Sequence, residues 1–234
     1  ATQKFQQLVQ SFQNIFKRCT MPVSIVKFDY QQPKPQSGFE FIFLHPQGDT
    51  TLLQCQACGY QANQTSASAE KTPFEPEPLE SLVKVHTPNT KTIEDLANFL
   101  EIPASRTAKA VFMTVTMIEK GEKTEKVVMA IVRGDMDLNE TKLARVINAW
   151  HMRPSTDSEI QSIGAIPGFA SPVGLKNALI VVDDLIPNSP NLVAGANETD
   201  YHLKHVNSGR DIKANIIADI TTVKTGNACP LCNQ

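Results

Sequence analysis

The sequence predicts a mixed α/β protein of the α+β class, in which a mixed, mainly antiparallel sheet is flanked by helices. Short runs rich in β-branched residues recur between turn residues, which is typical of strands. Other segments repeat apolar residues at helical spacing behind a capping residue. The chain has 234 residues, of which 41% are hydrophobic, so it can bury one large core or two modest cores.

The N-terminal part predicts one helix and a small antiparallel sheet. Residues 2–18 place apolar side chains on one stripe, as in a core-facing helix: Phe5, Leu8, Val9, Phe12, Ile15 and Phe16. Strands are predicted at 23–28, 39–44 and 51–55, and the turn HPQGD joins the last two. Residues 61–81 lack an apolar period and carry Pro, Ser, Thr and Glu, which predicts an exposed linker and a domain boundary.

The rest of the chain predicts a larger sheet with short helices around it. Strands are expected at 109–118 and 126–133, joined by a hairpin loop over GEKTE. Further strands at 177–184, 201–207 and 215–220 complete the mixed sheet. Capping residues predict three helix starts, at Thr92 (with Asp95), at Asn139 for a helix over 140–150, and at Thr156 (with Glu159) for a helix that stops at Gly164.

Charge and hydropathy exclude some classes of function. Lys and Arg number 22 against 24 Asp and Glu, so no strong basic field draws the whole protein to nucleic acid, and any such contact is local. The first residues lack the apolar core of a signal peptide, and no apolar run approaches the roughly 20 residues of a membrane span. We therefore expect a cytoplasmic protein without a membrane partner.

Four of the five cysteines form two C-x-x-C pairs, Cys55 with Cys58 and Cys229 with Cys232, and Cys19 is left over. Four thiolates with this local spacing suit a tetrahedral structural zinc ion. The pairs are too far apart for one compact ribbon, so the site would close around an inserted domain. Two unmetallated turns or a redox dithiol are the alternatives. A zinc deaminase is excluded, because no His begins an H-x-E motif.

Residues 167–175 read PGFASPVGL and predict a rigid loop that approaches a ligand. Surface loops usually carry polar residues, whereas this one has no charge. Glycine allows close approach of the backbone, and proline fixes the direction of the neighbouring N–H groups. A rigid turn that serves only packing is the alternative.

Several long segments resemble the editing insertion of bacterial prolyl-tRNA synthetases. These are HTPNTKTIEDLANFLEIPASRTAKAV, VRGDMDLNETKL, RPSTDSEI, IGAIPGFASPVGL and NLVAGANETDYHLKHVNSGRDI. CQACGYQAN and NACPLC resemble the segments that flank the insertion in those enzymes. The resemblance implies a partial class II catalytic fragment over 1–80, an editing domain over 81–220 and a return segment over 221–234.

The first 54 residues resemble a divergent piece of a class II catalytic domain. Where the family has S-H-E-F, this sequence has Gly38, Phe39, Glu40 and Phe41. The ATP-gripping motifs of the family are not found, so we expect this chain alone not to aminoacylate. ATP and Mg would serve only a full-length synthetase, whose remaining catalytic domain and anticodon-binding domain would be partners. The sequence predicts no particular oligomeric state.

The resemblance implies hydrolysis of alanine wrongly attached to tRNA(Pro), with the tRNA acceptor end as partner. The Gly168 to Pro172 loop would offer an oxyanion hole of backbone amides. Lys109 would hold the terminal phosphate or adenosine, and His202 would position the aminoacyl group, by orienting water or accepting a hydrogen bond from the substrate amine. The expected substrate-binding residues of a cavity too small for proline are Phe169, Ala170, Ser171 and Val173.

Plainer interpretations stay open for the same residues. A lysine at a strand start is usually a solvated surface residue, and a strand histidine is often structural. His205 would point away from His202 if the strand is regular. Asp183 and Asp184 would also face opposite sides, as strand-end and turn formers, with Asp219 isolated. The rival functions are a catalytically silent tRNA-binding module and a zinc-dependent or redox protein.

Overall fold

The structure is a computed structural model that describes residues 2–30, 36–119, 121–175 and 178–234. The chain forms two compact units, one of Ala1–Glu70 with Val223–Gln234 and one of Lys71–Thr222. The observed boundaries follow residues 70 and 222. The predicted boundaries at 80 and 220 therefore differ from them by ten and two residues. The assignment of a function to each segment stays a prediction. Within the described ranges, no helix is long and apolar enough to cross a membrane.

In its described residues, the first unit contains one helix and two small antiparallel sheets. Helix α1 spans Thr2–Arg18, and the strands are β1 (Val23–Tyr30), β2 (Gln36–Phe43), β3 (Leu52–Gln54) and β4 (Gln61–Asn63). Strand β1 pairs with β2, and β3 pairs with β4. The predicted HPQGD turn does connect β2 to β3, but these two strands pair with other partners and not with each other. The predicted exposed linker is wrong at its start, where Ala62 and Ala67 are buried.

The apolar stripe of α1 packs against β2 through aromatic pairs, but it is only partly covered. Phe5 stacks on Phe39 with 5.8 Å between ring centroids, and Phe16 lies 5.3 Å from Phe41. Phe5, Leu8, Phe12 and Ile15 are still 41–54% exposed. The helix is therefore amphipathic as predicted, although its stripe is only half buried.

Among the residues that the structure describes, the second unit contains two sheets, three short α-helices and two 3-10 helices, at Ala104–Arg106 and Ile186–Asn188. In chain order its elements are β5 (Val83–His86), α2 (Ile93–Leu100), β6 (Ala108–Glu119), β7 (Glu122–Arg133), α3 (Glu140–Val146), β8 (His151–Pro154), α4 (Asp157–Ser162), β9 (Leu179–Asp183), β10 (Leu192–Gly195), β11 (Tyr201–Val206) and β12 (Ile216–Ala218). The larger sheet is mixed, in the order β12-β9-β7-β6-β8, and β9 is parallel to both its neighbours. The smaller sheet is antiparallel, in the order β10-β11-β5.

Strand β7 is the centre of the core because both of its faces are covered. Met129 and Ile131 pack with residues of the smaller sheet, whereas Val128, Ala130 and Val132 pack with residues of α3. Side chains of a strand alternate between faces, so a strand buried on both sides is apolar at every position. The mixed sheet therefore has a helix on one face and the second sheet on the other.

Three details of the predicted sheet are corrected. Residues 201–207 were expected in the mixed sheet, but β11 lies in the smaller sheet. The GEKTE stretch is mostly strand, because the register pairs Glu119 with Glu122. The strand expected at 215–220 is limited to β12, and the strands β5, β8 and β10 were not predicted.

The three predicted helix starts are confirmed. The side chains of Thr92, Asn139 and Thr156 each accept a hydrogen bond from the backbone N–H three residues later. Helix α3 is shorter than the predicted 140–150, because the Trp150 N–H already donates to the Thr116 carbonyl in the approach to β8. Gly164 lies just beyond α4 with φ of 85°, a conformation that glycine adopts without strain.

Candidate functional site

A cavity of about 470 Å³ in the second unit brings together residues that are distant in sequence. It is lined by the start of α2, the first residues of β6, the 167–170 segment and the smaller sheet. Four of the predicted site residues lie in its wall: Lys109, Gly168, Ala170 and His202. Lys91 and Gly195 also line it, and neither residue was predicted from the sequence.

The other predicted loop residues lie beneath the cavity. Phe169 and Ser171 are 2% and 0% exposed, and Pro172 is buried as well. Val173 packs against the hydrophobic core. Phe169 meets the His202 ring edge-on, with 5.7 Å between ring centroids. Phe169 therefore packs against the histidine without lining the cavity, and Ala170 is the predicted substrate-binding residue that does line it.

Asn197 fixes the loop from the neighbouring turn. Its Oδ1 accepts from the Ser171 N–H at 2.8 Å, and its Nδ2 donates to the Ser171 and Val173 carbonyls at 3.0 and 3.3 Å. Its own N–H donates to the Phe169 carbonyl at 2.8 Å. One asparagine thereby satisfies polar groups that are buried with the loop. This explains how an uncharged loop can be rigid. The signal in the sequence was an Asn two residues after a strand that ends in glycine.

Two amides of the loop are left for a ligand. The N–H groups of Phe169, Ser171 and Val173 are used by the Ile166 carbonyl, the Asn197 side chain and the Ser171 hydroxyl. Within the described part of the chain, the N–H groups of Gly168 and Ala170 have no hydrogen-bond acceptor, and both residues line the cavity. Amides in this situation can stabilise an oxyanion.

Gly195 permits the close approach of the loop to β10. A Cβ at this position would lie 2.2 Å from the Phe169 carbonyl oxygen and 2.3 Å from that of Ala170. These distances are far below van der Waals contact, so any side chain here would push the loop away. Gly195 also pairs with His202 across β10 and β11. The same glycine therefore determines the spacing between the loop and the histidine.

His202 is buried and uncharged at neutral pH. It is 4% exposed, and its Nδ1 lies 2.6 Å from the Thr87 hydroxyl oxygen. Burial lowers the pKa of His202 to about 4, because the low-dielectric surroundings disfavour the charged ring. The prediction that His205 points away from His202 required a regular strand. The strand is not regular, because His205 has φ of 61° and the β10–β11 register shifts.

Acid is expected to destabilise the second unit through His202. The unfolded histidine has a pKa near 6.5, so the unfolded state binds a proton as pH falls below that value, whereas the folded ring stays neutral until about pH 4. The contribution of His202 to the free energy of unfolding is therefore fully present above about pH 6.5. The free energy of unfolding falls by roughly 3 kcal/mol as the pH drops from about 6.5 to about 4.

Urea unfolding of the wild type and of His202→Gln at pH 7 and pH 4.5 measures this effect. The stability advantage of the wild type should shrink at pH 4.5. An advantage that stays constant between the two pH values would show that His202 titrates normally in the folded protein.

Lys109 and Lys91 place positive charge at the cavity. The Lys109 Nζ is 2.7 Å from the Asp137 Oδ1, and its side chain is 33% exposed. Lys91 is exposed, and its aliphatic side chain lies beside Gly168, at 3.5–3.7 Å from the position a Cβ would take there. An anionic group bound at the cavity could therefore reach two ammonium groups.

The four paired cysteines converge in the first unit. The Cys55 and Cys232 sulfurs are 3.5 Å apart, those of Cys58 and Cys229 are 3.6 Å apart, and all four lie within 4.8 Å of one another. Tetrahedral Zn–S bonds of about 2.3 Å require sulfurs about 3.8 Å apart. The donor type and the spacing thus fit a metal ion. The backbone N–H groups of Cys58 and Ala57 lower the pKa of Cys55 to about 6, which favours a thiolate.

The carboxylates of Asp183, Asp184 and Asp219 form a structural ion network. Lys71 Nζ contacts one oxygen of each, at 2.7, 2.6 and 2.8 Å, and Lys142 contacts Asp219 at 2.7 Å. The expectation that Asp183 and Asp184 diverge is wrong, because β9 ends at Asp183 and strand alternation stops there. Asp219 is not isolated either. The Lys71 ammonium occupies the position between the three carboxylates at which they could otherwise bind a metal cation.

The fold and the cavity together describe an α+β domain in which a buried histidine, two loop residues with free amides and two lysines line one cavity. Residues 87–212 match the family of aminoacyl-tRNA editing domains, and the chain belongs to this family. This match and the relatives below confirm the resemblance seen in the sequence.

Proline–tRNA ligases are among the relatives. That of Salinispora tropica is 40% identical over 99% of this chain and 39% of its own length. That of Dehalococcoides mccartyi is 38% identical over 99% and 39%. A solved structure from work on epitope backbone grafting onto scaffold proteins shares the fold, with a TM-score of 0.50 and 19% identity over 61% of this chain and 88% of its own. The chain spans about two fifths of the length of these ligases.

Proposed function

We propose that the second unit is a post-transfer editing deacylase that hydrolyses alanyl-tRNA(Pro), as part of a proline–tRNA ligase acting in the cytoplasm. One observation carries the proposal most directly. The free amides of Gly168 and Ala170, the ammonium of Lys109 and the ring of His202 line one cavity. Family membership and the ligases among the relatives support the substrate class.

Ester hydrolysis needs few catalytic groups in such a site. Water adds to the carbonyl carbon, the bond to the ribose oxygen breaks, and alanine and tRNA leave with the two protons of the water shared between the carboxyl group and the ribose hydroxyl. The Gly168 and Ala170 amides are suited to stabilise the negative charge on the carbonyl oxygen. Preorganised donors of this kind typically contribute the largest share of catalysis.

A second site is needed because a proline pocket rejects the smaller alanine poorly. Losing one or two methylenes changes binding by only about 1 to 3 kcal/mol. We expect the editing cavity to reverse the selection by size, with the apolar side chains of Leu96, Phe112 and Ile160 in its wall as the groups that distinguish alanine from proline.

Deacylation assays on the full chain test the proposal. Alanyl-tRNA(Pro) should be hydrolysed well above the buffer rate, and prolyl-tRNA(Pro) should not. Equal, background-level rates for both substrates would refute the deacylase function. Tight tRNA binding in that case would instead favour a catalytically silent tRNA-binding module.

Lys109→Ala is expected to weaken substrate binding. The ammonium would contact the terminal phosphate or adenosine of the tRNA, and a charged hydrogen bond is worth about 1.5–3 kcal/mol. We expect KM for alanyl-tRNA(Pro) to rise at least about tenfold, with a smaller change in kcat. Lys123→Ala is the matched control, because Lys123 is an exposed lysine on β7 outside the cavity wall. Equal KM values for Lys109→Ala and Lys123→Ala would show that Lys109 does not contribute to substrate binding.

The remaining segments belong to the same proposal. Residues 1–80 would be a partial class II catalytic fragment, 81–220 the editing domain and 221–234 the return to the host enzyme. ATP and Mg would act only in the whole ligase, with its further catalytic and anticodon-binding parts. Cys55, Cys58, Cys229 and Cys232 would hold a structural zinc ion, which supplies a cross-link between the two chain segments of the first unit.

A further inference from the structure

We propose that Thr87 fixes the tautomer of His202, so that the proton resides on Nε2 and the ring serves in the cavity as a neutral hydrogen-bond donor rather than as a base. Thr87 is then a positioning residue. The identity of the acceptor of this hydrogen bond rests on the proposed function, whereas the tautomer follows from the contact between the Thr87 and His202 side chains.

The Thr87 hydroxyl identifies the tautomer because it is buried with one partner. Thr87 is 0% exposed, and its Oγ1 lies 2.6 Å from Nδ1 of His202. Among the described residues, this nitrogen is the only hydrogen-bond partner of the hydroxyl. If Nδ1 carried the proton, it would donate to Oγ1, and the hydroxyl hydrogen would be buried without an acceptor. Such an orphaned group is costly, so the hydroxyl donates and Nδ1 accepts.

The backbone around Thr87 keeps this hydrogen bond in place. The Thr87 N–H donates to the Asp200 carbonyl at 2.8 Å, and its carbonyl accepts from the buried Thr90 hydroxyl at 2.8 Å. Directly before Thr87, the register pairs His86 with Tyr201, so β5 runs beside the strand that carries His202. Phe169 packs edge-on against the imidazole. A flipped ring would place a carbon against the Thr87 hydroxyl, so these contacts favour one orientation.

The Nε2–H is left for the ligand. His202 lines the cavity, and within the described ranges the only hydrogen bond of its ring is the one to Thr87. If Nε2 carries the proton, it cannot accept a hydrogen bond from the substrate amine. This role of His202 was expected from the sequence, and the proposed tautomer replaces it with a donor role. The ring can donate to an oxygen of the aminoacyl ester throughout hydrolysis while keeping its own proton. The low pKa of His202 agrees with this role, since a base needs a pKa closer to the working pH.

The tautomer can be measured without any activity. Long-range proton–nitrogen NMR on the ¹⁵N-histidine-labelled chain distinguishes a ring protonated on Nε2 from one protonated on Nδ1. We expect the Nε2–H form in the wild type and in Thr87→Ser, and a mixture in Thr87→Val. A wild-type ring protonated on Nδ1 would overturn the proposal, and so would Thr87→Val with an unmixed Nε2–H form.

Kinetics test the consequence for hydrolysis. Thr87→Val should lower kcat for alanyl-tRNA(Pro) about fivefold with little change in KM, as for the partial loss of one oriented hydrogen bond, and Thr87→Ser should restore it to within about twofold. Thr114→Val is the matched control, because Thr114 is a buried threonine of the mixed sheet whose hydroxyl contacts Ser155. Wild-type kcat in Thr87→Val despite a mixed tautomer would overturn the donor role.

The two measurements separate this inference from the proposed function. A chain that hydrolyses no aminoacyl-tRNA would refute the deacylase, whereas the NMR spectrum would still report the tautomer. If Thr87→Val fails to fold, the wild-type and Thr87→Ser spectra still decide the tautomer, and the ratio of their kcat values decides whether the serine hydroxyl replaces that of threonine.

Discussion

Replacing Gly195 with alanine is expected to reduce kcat/KM for alanyl-tRNA(Pro) about a hundredfold or more. The new methyl carbon would overlap the Phe169 and Ala170 carbonyl oxygens, at 2.2 and 2.3 Å, so the loop must move outward. A displacement of about 1 Å at a reacting centre can cost 10²-fold. The Gly168 and Ala170 amides would then miss the carbonyl oxygen of the substrate. Single-turnover deacylation measures the loss.

Gly209→Ala controls for a general loss of stability. Gly209 has φ of 81° with no atom within 4 Å of an added Cβ, so alanine there costs backbone strain of roughly 1–2 kcal/mol without steric overlap. Overpacking at Gly195 typically costs about 1–3 kcal/mol. We expect Gly209→Ala to keep wild-type activity at similar stability. Retained activity in Gly195→Ala would mean that the loop position is unimportant for hydrolysis.

Zinc removal is expected to unfold the cysteine region of the first unit. Apparent binding free energies of structural zinc sites in small peptides reach about 10–16 kcal/mol near pH 7, so the ion contributes directly to folding. The four cysteines that would bind it pair across 171 and 177 residues of the sequence. A chelator should therefore release both segments, seen as faster hydrogen exchange over residues 55–60 and 228–234.

Cys229→Ser tests the same site without a chelator. We expect it to reduce the zinc content from about one ion per chain and to accelerate exchange over the same residues. Cys19→Ser is the matched control, because Cys19 is exposed and lies outside the cluster. Chain purified from zinc-containing medium that binds no zinc, and whose four thiols react freely with an alkylating reagent, would contradict the metal site.

Features that depend on neighbouring residues were predictable from the sequence. Thr92, Asn139 and Thr156 cap their helices through a backbone N–H only three residues away, so a short window contains the whole interaction. The buried strand β7 was also clear, since a run of apolar β-branched residues is long enough to be distinctive. The cysteine pairs were recognisable by type and spacing.

Features that depend on distant partners were not predictable in this way. Thr87 and His202 are 115 residues apart, and a threonine before a proline gives no sign of such a contact. Strands β5 and β10 have four residues each, too few to show a period. Gly195 and Asn197 are separated by one residue in a local pattern typical of turns, but their function in holding the 168–173 segment is visible only once the two segments are adjacent.

The Lys71 network has a consequence for how the second unit is connected to other polypeptide. Lys71 is the first residue of that unit, and Asp219 lies three residues before its end, yet their side chains are 2.8 Å apart. A segment whose two ends meet needs only a narrow gap in a surface loop of its host. Evolution can transplant such a module between proteins, or release it as an independent protein, without rebuilding its core.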